Sequence, residues 1–250
     1  MNQGKFAQIT WVVFEAAGPL IWREPDERGM FKIRCARAGL GLMPDQARAA
    51  WARTQEWSLG QELREWQGAP ALDDRVFQFA QDRAALRGFL PPEKLEAALL
   101  RLAQAPVPRT TWRVDRRAFR VLDDLRAARL RAGVVSHFVP GVADLLAKAG
   151  LPEEVEVLAA AEEADSPGAR QALIRRALQG AGSAPDETLY VGTHPIGLSA
   201  ATAAGTLTAW FDREERGAWP RQLPPPDVVI PQLSDLGPLL GLGTRRPASR

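Results

Sequence analysis

Residues 9–20 read ITWVVFEAAGPL, and this stretch decides how the rest of the chain divides. Its first six residues are apolar or β-branched, and Gly18-Pro19 stops the run. Six residues are too few for a buried helix and suit a strand covered on both faces. Such strands belong to parallel sheets, which need further strands of the same kind with helices between them. They are present. GVVS at 133–136, residues 155–160, LYVG at 189–192, and residues 207–211 and 227–230 repeat the pattern. Between them, helical periodicity runs over 116–131, 139–149, 169–179, 198–204 and 233–240, with Gly133, Gly150, Gly180 and Gly205 placed as terminators of the first four. Strands alternating with helices imply right-handed crossovers, hence an α/β fold with a Rossmann-like three-layer core and a parallel sheet.

The block between the first two strands is too long for one crossover. Residues 26–105 carry almost only helical patterns, broken at Gly39, Gly41, Pro44, Pro70 and Pro91-Pro92. An inserted all-helical cap over 25–105 is expected. The α/β core is then 1–24 with 106–243, and 244–250 forms a disordered basic tail.

Composition sets the outer limits. With 46% apolar and 25% charged residues the chain is globular rather than disordered. Only four of the basic residues are lysine, but acidic residues are interspersed nearly everywhere and the net charge is +2. No basic stripe with aromatic partners exists, so nucleic acid is not an expected partner. Cys35 is the single cysteine, which excludes an intrachain disulfide and suits a reducing compartment. One cysteine and two histidines also make a structural zinc site a poor expectation. The apolar run within 1–18 is too short to span a bilayer and lacks the cationic start of a signal peptide. A cytoplasmic protein without membrane contact is expected.

In an open parallel sheet the chemistry sits beyond the C-terminal ends of the strands. Four segments there are informative: VVFEAAGPL (12–20), GVVSHF (133–138), EEADSPGARQALI (162–174) and LYVGTHPIGLSAATAAG (189–205). In order and spacing they resemble the four motifs of the haloacid-dehalogenase-like (HAD) superfamily, in its dehalogenase and phosphatase branch with a helical cap. PDVVIPQLSDLGPLL (226–240) is similar to that family's final strand and helix.

The resemblance implies a hydrolase site, and also that its charged groups are largely replaced. Glu15 stands at the position of the family's Asp nucleophile, with Ala17 at the second acidic position, Gly18 kept and Pro19 in place of Thr. Ser136 is kept in the second motif, followed by His137 where Asn is frequent. Gly168 stands at the position of the family's Lys, with Arg170 two residues on as a substitute. Thr193 replaces the first Asp of the fourth motif, and Gly197 stands near the second. The family reaction uses a carboxylate nucleophile, acidic groups that hold Mg²⁺, a cation and oxyanion donors. A glutamate moves the attacking oxygen by roughly 1 Å, a misplacement that can cost about 100-fold in rate. A hydroxyl at 193 gives a hard cation little to bind, and a guanidinium is no simple replacement for an ammonium.

These replacements favour a degenerate active site in a pseudoenzyme that binds a small molecule, an anion or a protein partner, without a cofactor. The alternative is a divergent hydrolase of phosphate esters or haloacids. In it Glu15 serves as nucleophile, Ser136 and Thr193 hold the oxyanion, His137 or His194 shuttles the proton, and Mg²⁺ is required. Gly18, Ser136, His137 and His194 are the anion-binding candidates. Each has a plainer role: Glu15 as a carboxylate at a helix N-terminus or beside an Arg, Ser136 and Thr193 as cap or turn residues, and the histidines as loop hydrogen-bonders. Trp51, Trp57 and Trp66 either line a cap pocket or fill the helical core. A homodimer built on the cap is a third reading. Cys35 is expected to be an apolar filler.

Overall fold

The computed structural model describes residues 3–70, 72–136, 141–148, 150–152, 155–160, 167–213 and 219–242. His137 and the tail 244–250 lie outside them. In chain order the elements are β1 (Trp11–Glu15), β2 (Ile21–Glu24), α1 (Glu27–Arg37), α2 (Pro44–Trp66), α3 (Asp74–Leu86), α4 (Pro92–Gln104) and β3 (Thr111–Val114). There follow α5 (Arg116–Ala127), β4 (Arg131–Ser136), α6 (Val142–Lys148), β5 (Glu156–Ala160), α7 (Pro167–Ala181) and β6 (Thr188–Gly192). The chain closes with α8 (Pro195–Ala203), β7 (Leu207–Phe211), β8 (Val228–Ile230) and α9 (Leu236–Leu239). Contacts divide it into two compact units, Met1–Trp22 with Arg113–Arg250, and Arg23–Trp112.

The first unit is an α/β core around a six-stranded sheet of order β5-β4-β1-β6-β7-β8, in which every pairing is parallel. The chain builds outward from β1 through β4 to β5, then returns to the other side of β1 for β6, β7 and β8. β1 therefore lies at the switch point, where open sheets place their ligands. Its residues WVVFE are all buried, as a central parallel strand requires. Glu15 is in register with Val135 of β4, and Phe14 with Val191 of β6.

The second unit holds α1 to α4 around Phe31, Cys35, Ala50, Leu86, Leu99 and Leu102. A largely buried ion pair crosses it, Arg34 Nη2 to Asp82 Oδ2 at 2.8 Å. α4 starts at Pro92, in the first helical turn where a missing amide hydrogen costs nothing. Among the described residues no helix is long and apolar enough to cross a membrane.

Several local expectations need correction. The helix expected over 116–131 stops at Ala127, because Arg129 takes the left-handed conformation, φ 62°, and Leu130 N donates back to Leu125 O. Gly133 does not end that helix. It lies inside β4, where a Cβ would come within 2.3 Å of Leu158 Cδ1. α8 begins at Pro195 rather than at 198, since a proline is well suited to the first helical position. The last helix splits into a 3-10 turn, Leu233–Asp235, and α9. β2 and β3 pair with each other in a separate two-stranded sheet that the sequence pattern did not announce.

Candidate functional site

The ends of β1 and β6 meet at Glu15. Its side chain is buried, with 5% of the residue exposed. Oε2 accepts hydrogen bonds from the Thr193 backbone amide at 2.9 Å and from Thr193 Oγ1 at 3.3 Å. Both bonds fall on the same oxygen. Thr193 is the first residue beyond β6 and lies two residues before α8, so the carboxylate sits close to a helix N-terminus, where negative charge is favoured. Among the described residues no arginine pairs with Glu15.

Three glycines make room for this arrangement. A Cβ on Gly192 would lie 3.0 Å from Glu15 Oε2 and 2.9 Å from Tyr190 Cε1. One on Gly197, in the first turn of α8, would lie 3.8 Å from Glu15 Oε1 and 3.5 Å from the Tyr190 hydroxyl. Gly18 has φ +100°, and a Cβ there would lie 2.5 Å from Thr193 Cγ2. The Gly18 amide donates to Ile21 O at 2.7 Å and that of Ala16 to Val135 O at 2.8 Å. These two amides of the turn after β1 therefore serve the backbone itself.

Ser136 is the last residue of β4 and is buried. Gly168 lies in the first turn of α7. Arg170, two residues on, is 6% exposed, and its Nη1 lies 3.0 Å from His194 Nδ1. An arginine is always a donor, so Nδ1 is the acceptor in this contact. His194 is the N-cap residue of α8 but makes no capping bond with its side chain; its ring turns to Arg170 instead. The structure thus joins Glu15 to Thr193 and Arg170 to His194. His137 is outside the described residues.

A residue not singled out by sequence also supports the site. Trp210 of β7 donates from Nε1 to Thr193 O at 3.2 Å, and its ring meets Trp219 edge to face at 5.1 Å. The only available signal was its place late in a strand. Of the tryptophans in the helical unit, Trp51 lies 6.5 Å from the Phe31 ring and packs against that unit's core. Trp57 meets Phe77 at 5.0 Å. Trp66, the last residue of α2, is half-buried. Cys35 is 1% exposed. Burial foremost, then the Asp82 charge, pushes its thiol up to about 12 against the opposing pull of Arg34.

No protein-family model matches the sequence, and no curated protein matches it. Solved structures do. L-2-haloacid dehalogenase from Xanthobacter autotrophicus, with chloropropionic acid covalently bound, is 21% identical, with a TM-score of 0.54 over 95% of this chain and 100% of that one. A HAD phosphatase from Thermococcus onnurineus is 19% identical, with a TM-score of 0.50 over 93% and 98%. The magnesium-bound HAD-type protein YfnB from Bacillus subtilis is 13% identical, with a TM-score of 0.57 over 94% and 99%.

The chain has the HAD fold. On it, Glu15, Ser136 and Thr193 stand at the C-terminal ends of β1, β4 and β6. Those ends are where open parallel sheets place their ligands. Arg170 reaches the same edge from α7 through its bond to His194.

Proposed function

We propose that this HAD-fold protein does not run the hydrolytic chemistry associated with its fold, and acts by binding a small molecule, an anion or a protein. The observation that carries the proposal is the double hydrogen bond from Thr193 to Glu15 Oε2. A nucleophilic carboxylate must keep an oxygen aimed at the substrate within about 3–3.5 Å. Here the extra methylene of glutamate carries the carboxylate toward β6 and α8, where it serves as an acceptor for the backbone.

The donor set does not fit magnesium. Mg²⁺ seeks near-octahedral oxygen ligation with carboxylates among its ligands. Among the described residues Glu15 is the only carboxylate in the arrangement, its Oε2 already accepts two hydrogens, and the neighbouring Thr193 hydroxyl donates to it. Among the described residues no group of three His, Cys, Asp or Glu could hold a metal ion. The hydrogens of Thr193 thus provide the positive field beside the carboxylate that a cation provides elsewhere.

A second reading, a hydrolase with Glu15 as nucleophile, draws on Oε1, which accepts no hydrogen bond from the described residues. In that reading Oε1 attacks phosphorus or the halogen-bearing carbon, the P–O or C–halogen bond breaks, the departing alkoxide takes a proton from His194 or water while a halide leaves as the anion, and water then hydrolyses the bond to Glu15. One assay separates the two. The purified chain is given phosphate esters and 2-haloacids with and without Mg²⁺, beside Glu15→Gln and a Glu15→Asp, Gly168→Lys, Thr193→Asp variant. The expected result is no turnover by the parent. Turnover by the parent that Glu15→Gln abolishes would overturn the binding reading.

A further inference from the structure

We propose that Glu15 is a built-in anion that keeps the two Thr193 donors closed to free carboxylates. This self-occupied state rests on the reading of the strand end as a binding rather than a hydrolytic site. It narrows that reading, because the Thr193 donors then serve the chain itself and not an anionic ligand.

The donors form a receptor for one carboxylate oxygen. The Thr193 amide and Oγ1 converge on Glu15 Oε2, at 2.9 Å and 3.3 Å. Hydrogen bonds to a charged acceptor are roughly twice as strong as those between neutral groups. Nothing in these two bonds depends on the carbon chain behind the carboxylate. A free carboxylate can make both once the Glu15 side chain is cut away.

Three features keep an outside anion away while Glu15 is present. Its backbone is held in the middle of the sheet, in register with Val135 of β4, and the next amide, Ala16 N, donates to Val135 O at 2.8 Å. A tethered and well-oriented group acts at an effective concentration that free anions do not reach. The place is also filled: Glu15 is 5% exposed, and even a Cβ on Gly192 would come within 3.0 Å of Oε2. Finally, a second carboxylate brought to Thr193 meets the like charge of the first.

Acetate is the probe, and acetamide is its uncharged control. Glu15→Ala removes a CH₂–COO⁻ group, which has the size of acetate. Amide ¹H–¹⁵N spectra of the full chain are recorded during titration of the parent, Glu15→Ala, Glu15→Gln, and Glu15→Ala combined with Thr193→Val. The expected result is saturable acetate binding to Glu15→Ala, read at residues 192–194. None is expected in the parent, or in Glu15→Gln, whose amide oxygen still fills the place. Acetamide binds Glu15→Ala more weakly by about tenfold or more, and loss of the Thr193 hydroxyl weakens acetate binding by a similar factor. Where Glu15→Ala does not fold in buffer alone, acetate present during refolding is expected to restore the native spectrum. The proposal is overturned by acetate that binds the parent at residues 192–194, or that binds Glu15→Ala no better than acetamide does. Acetate that neither binds nor restores Glu15→Ala overturns it too, as does binding undiminished by Thr193→Val. Turnover of a phosphate ester or haloacid by the parent is a distinct result: it removes the non-hydrolytic reading without any acetate being present.

Discussion

The Glu15 carboxylate at the end of β1 is fastened to Thr193 beyond β6 by both the backbone amide and the hydroxyl of that residue. This link crosses the two central strands at the sheet's switch point. It helps to accommodate a buried acidic side chain. Two hydrogen bonds to an ionised group, near a helix N-terminus, offset its loss of water. Replacing Thr193 by valine removes the hydroxyl and keeps the amide. The expected loss of stability is about 1–2 kcal/mol, read as a lower urea midpoint with an unchanged slope. A valine variant as stable as the parent removes the hydroxyl from this account.

Thr193→Asp tests the same link with charge. A second carboxylate then faces Glu15 with no cation to separate them, and one of the two must hold a proton or move away. The variant is expected to be less stable than the parent at neutral pH. The deficit shrinks as the pH falls and one carboxyl is protonated. Magnesium titration completes the experiment. In the parent, calorimetry is expected to show no tight Mg²⁺ binding; in the variant, stabilisation by Mg²⁺ at neutral pH is expected because a carboxylate pair has been created. Tight Mg²⁺ binding by the parent contradicts the role given to Thr193.

Gly18 is constrained twice, by φ +100° and by the 2.5 Å approach that a Cβ would make to Thr193 Cγ2. Gly18→Ala is expected to destabilise by about 1–3 kcal/mol, from backbone strain before any clash is counted. The two causes separate in a double-mutant cycle with Thr193→Gly. Removing the threonine side chain relieves the clash and leaves the strain, so the alanine substitution costs less in that background. Strictly additive effects, measured by denaturant unfolding, leave backbone conformation as the whole cause.

How much of this was legible in sequence differs from element to element. β1, β4 and β6 are apolar and β-branched, and central parallel strands leave that mark. IWRE and TWRV in β2 and β3 mix charge with bulk, and they become strands only by pairing with each other. The end of α5 was misplaced because Arg129, not a glycine, takes the positive φ. At the site, the resemblance to the HAD motifs singled out Glu15, Ser136 and Thr193. The bond between Glu15 and Thr193 was not visible, since it depends on how far one extra methylene reaches between neighbouring strands. The Arg170–His194 contact likewise joins two helices whose packing no local pattern encodes.

In the helical unit, burial raises the Asp82 carboxyl above its ordinary 3.8, while hydrogen bonds and charge from Arg34 pull the other way. The sign of the linkage follows. A carboxyl whose folded-state value is raised holds its proton more tightly when folded than when unfolded. Its favourable contribution is complete below about 3.8 and is lost as the pH rises through the folded-state value. Relative to Asp82→Asn, which does not titrate, the parent therefore loses ground as the pH climbs from about 3.8. At neutral pH, Asp82→Ala still costs about 1–3 kcal/mol, because it leaves the partly buried Arg34 guanidinium with the Leu102 carbonyl alone. Urea unfolding of the three proteins across acidic and neutral pH checks both statements. A parent-minus-Asn difference that grows with pH rules out burial as the dominant influence on Asp82.

Cys35, beside that ion pair, supplies a kinetic check on the same core. A thiol at about 12 is almost wholly protonated at neutral pH, and the thiolate is the reactive form. The native chain is expected to resist a thiol reagent and to react stoichiometrically once denatured. Any slow labelling of the native protein then requires opening of the α1–α4 unit and follows its local stability. Asp82→Ala should accelerate labelling in proportion to the stability it removes from that unit, while Thr193→Val, in the other unit, should leave the rate unchanged. Rapid labelling of the unperturbed chain at neutral pH contradicts the burial assigned to Cys35.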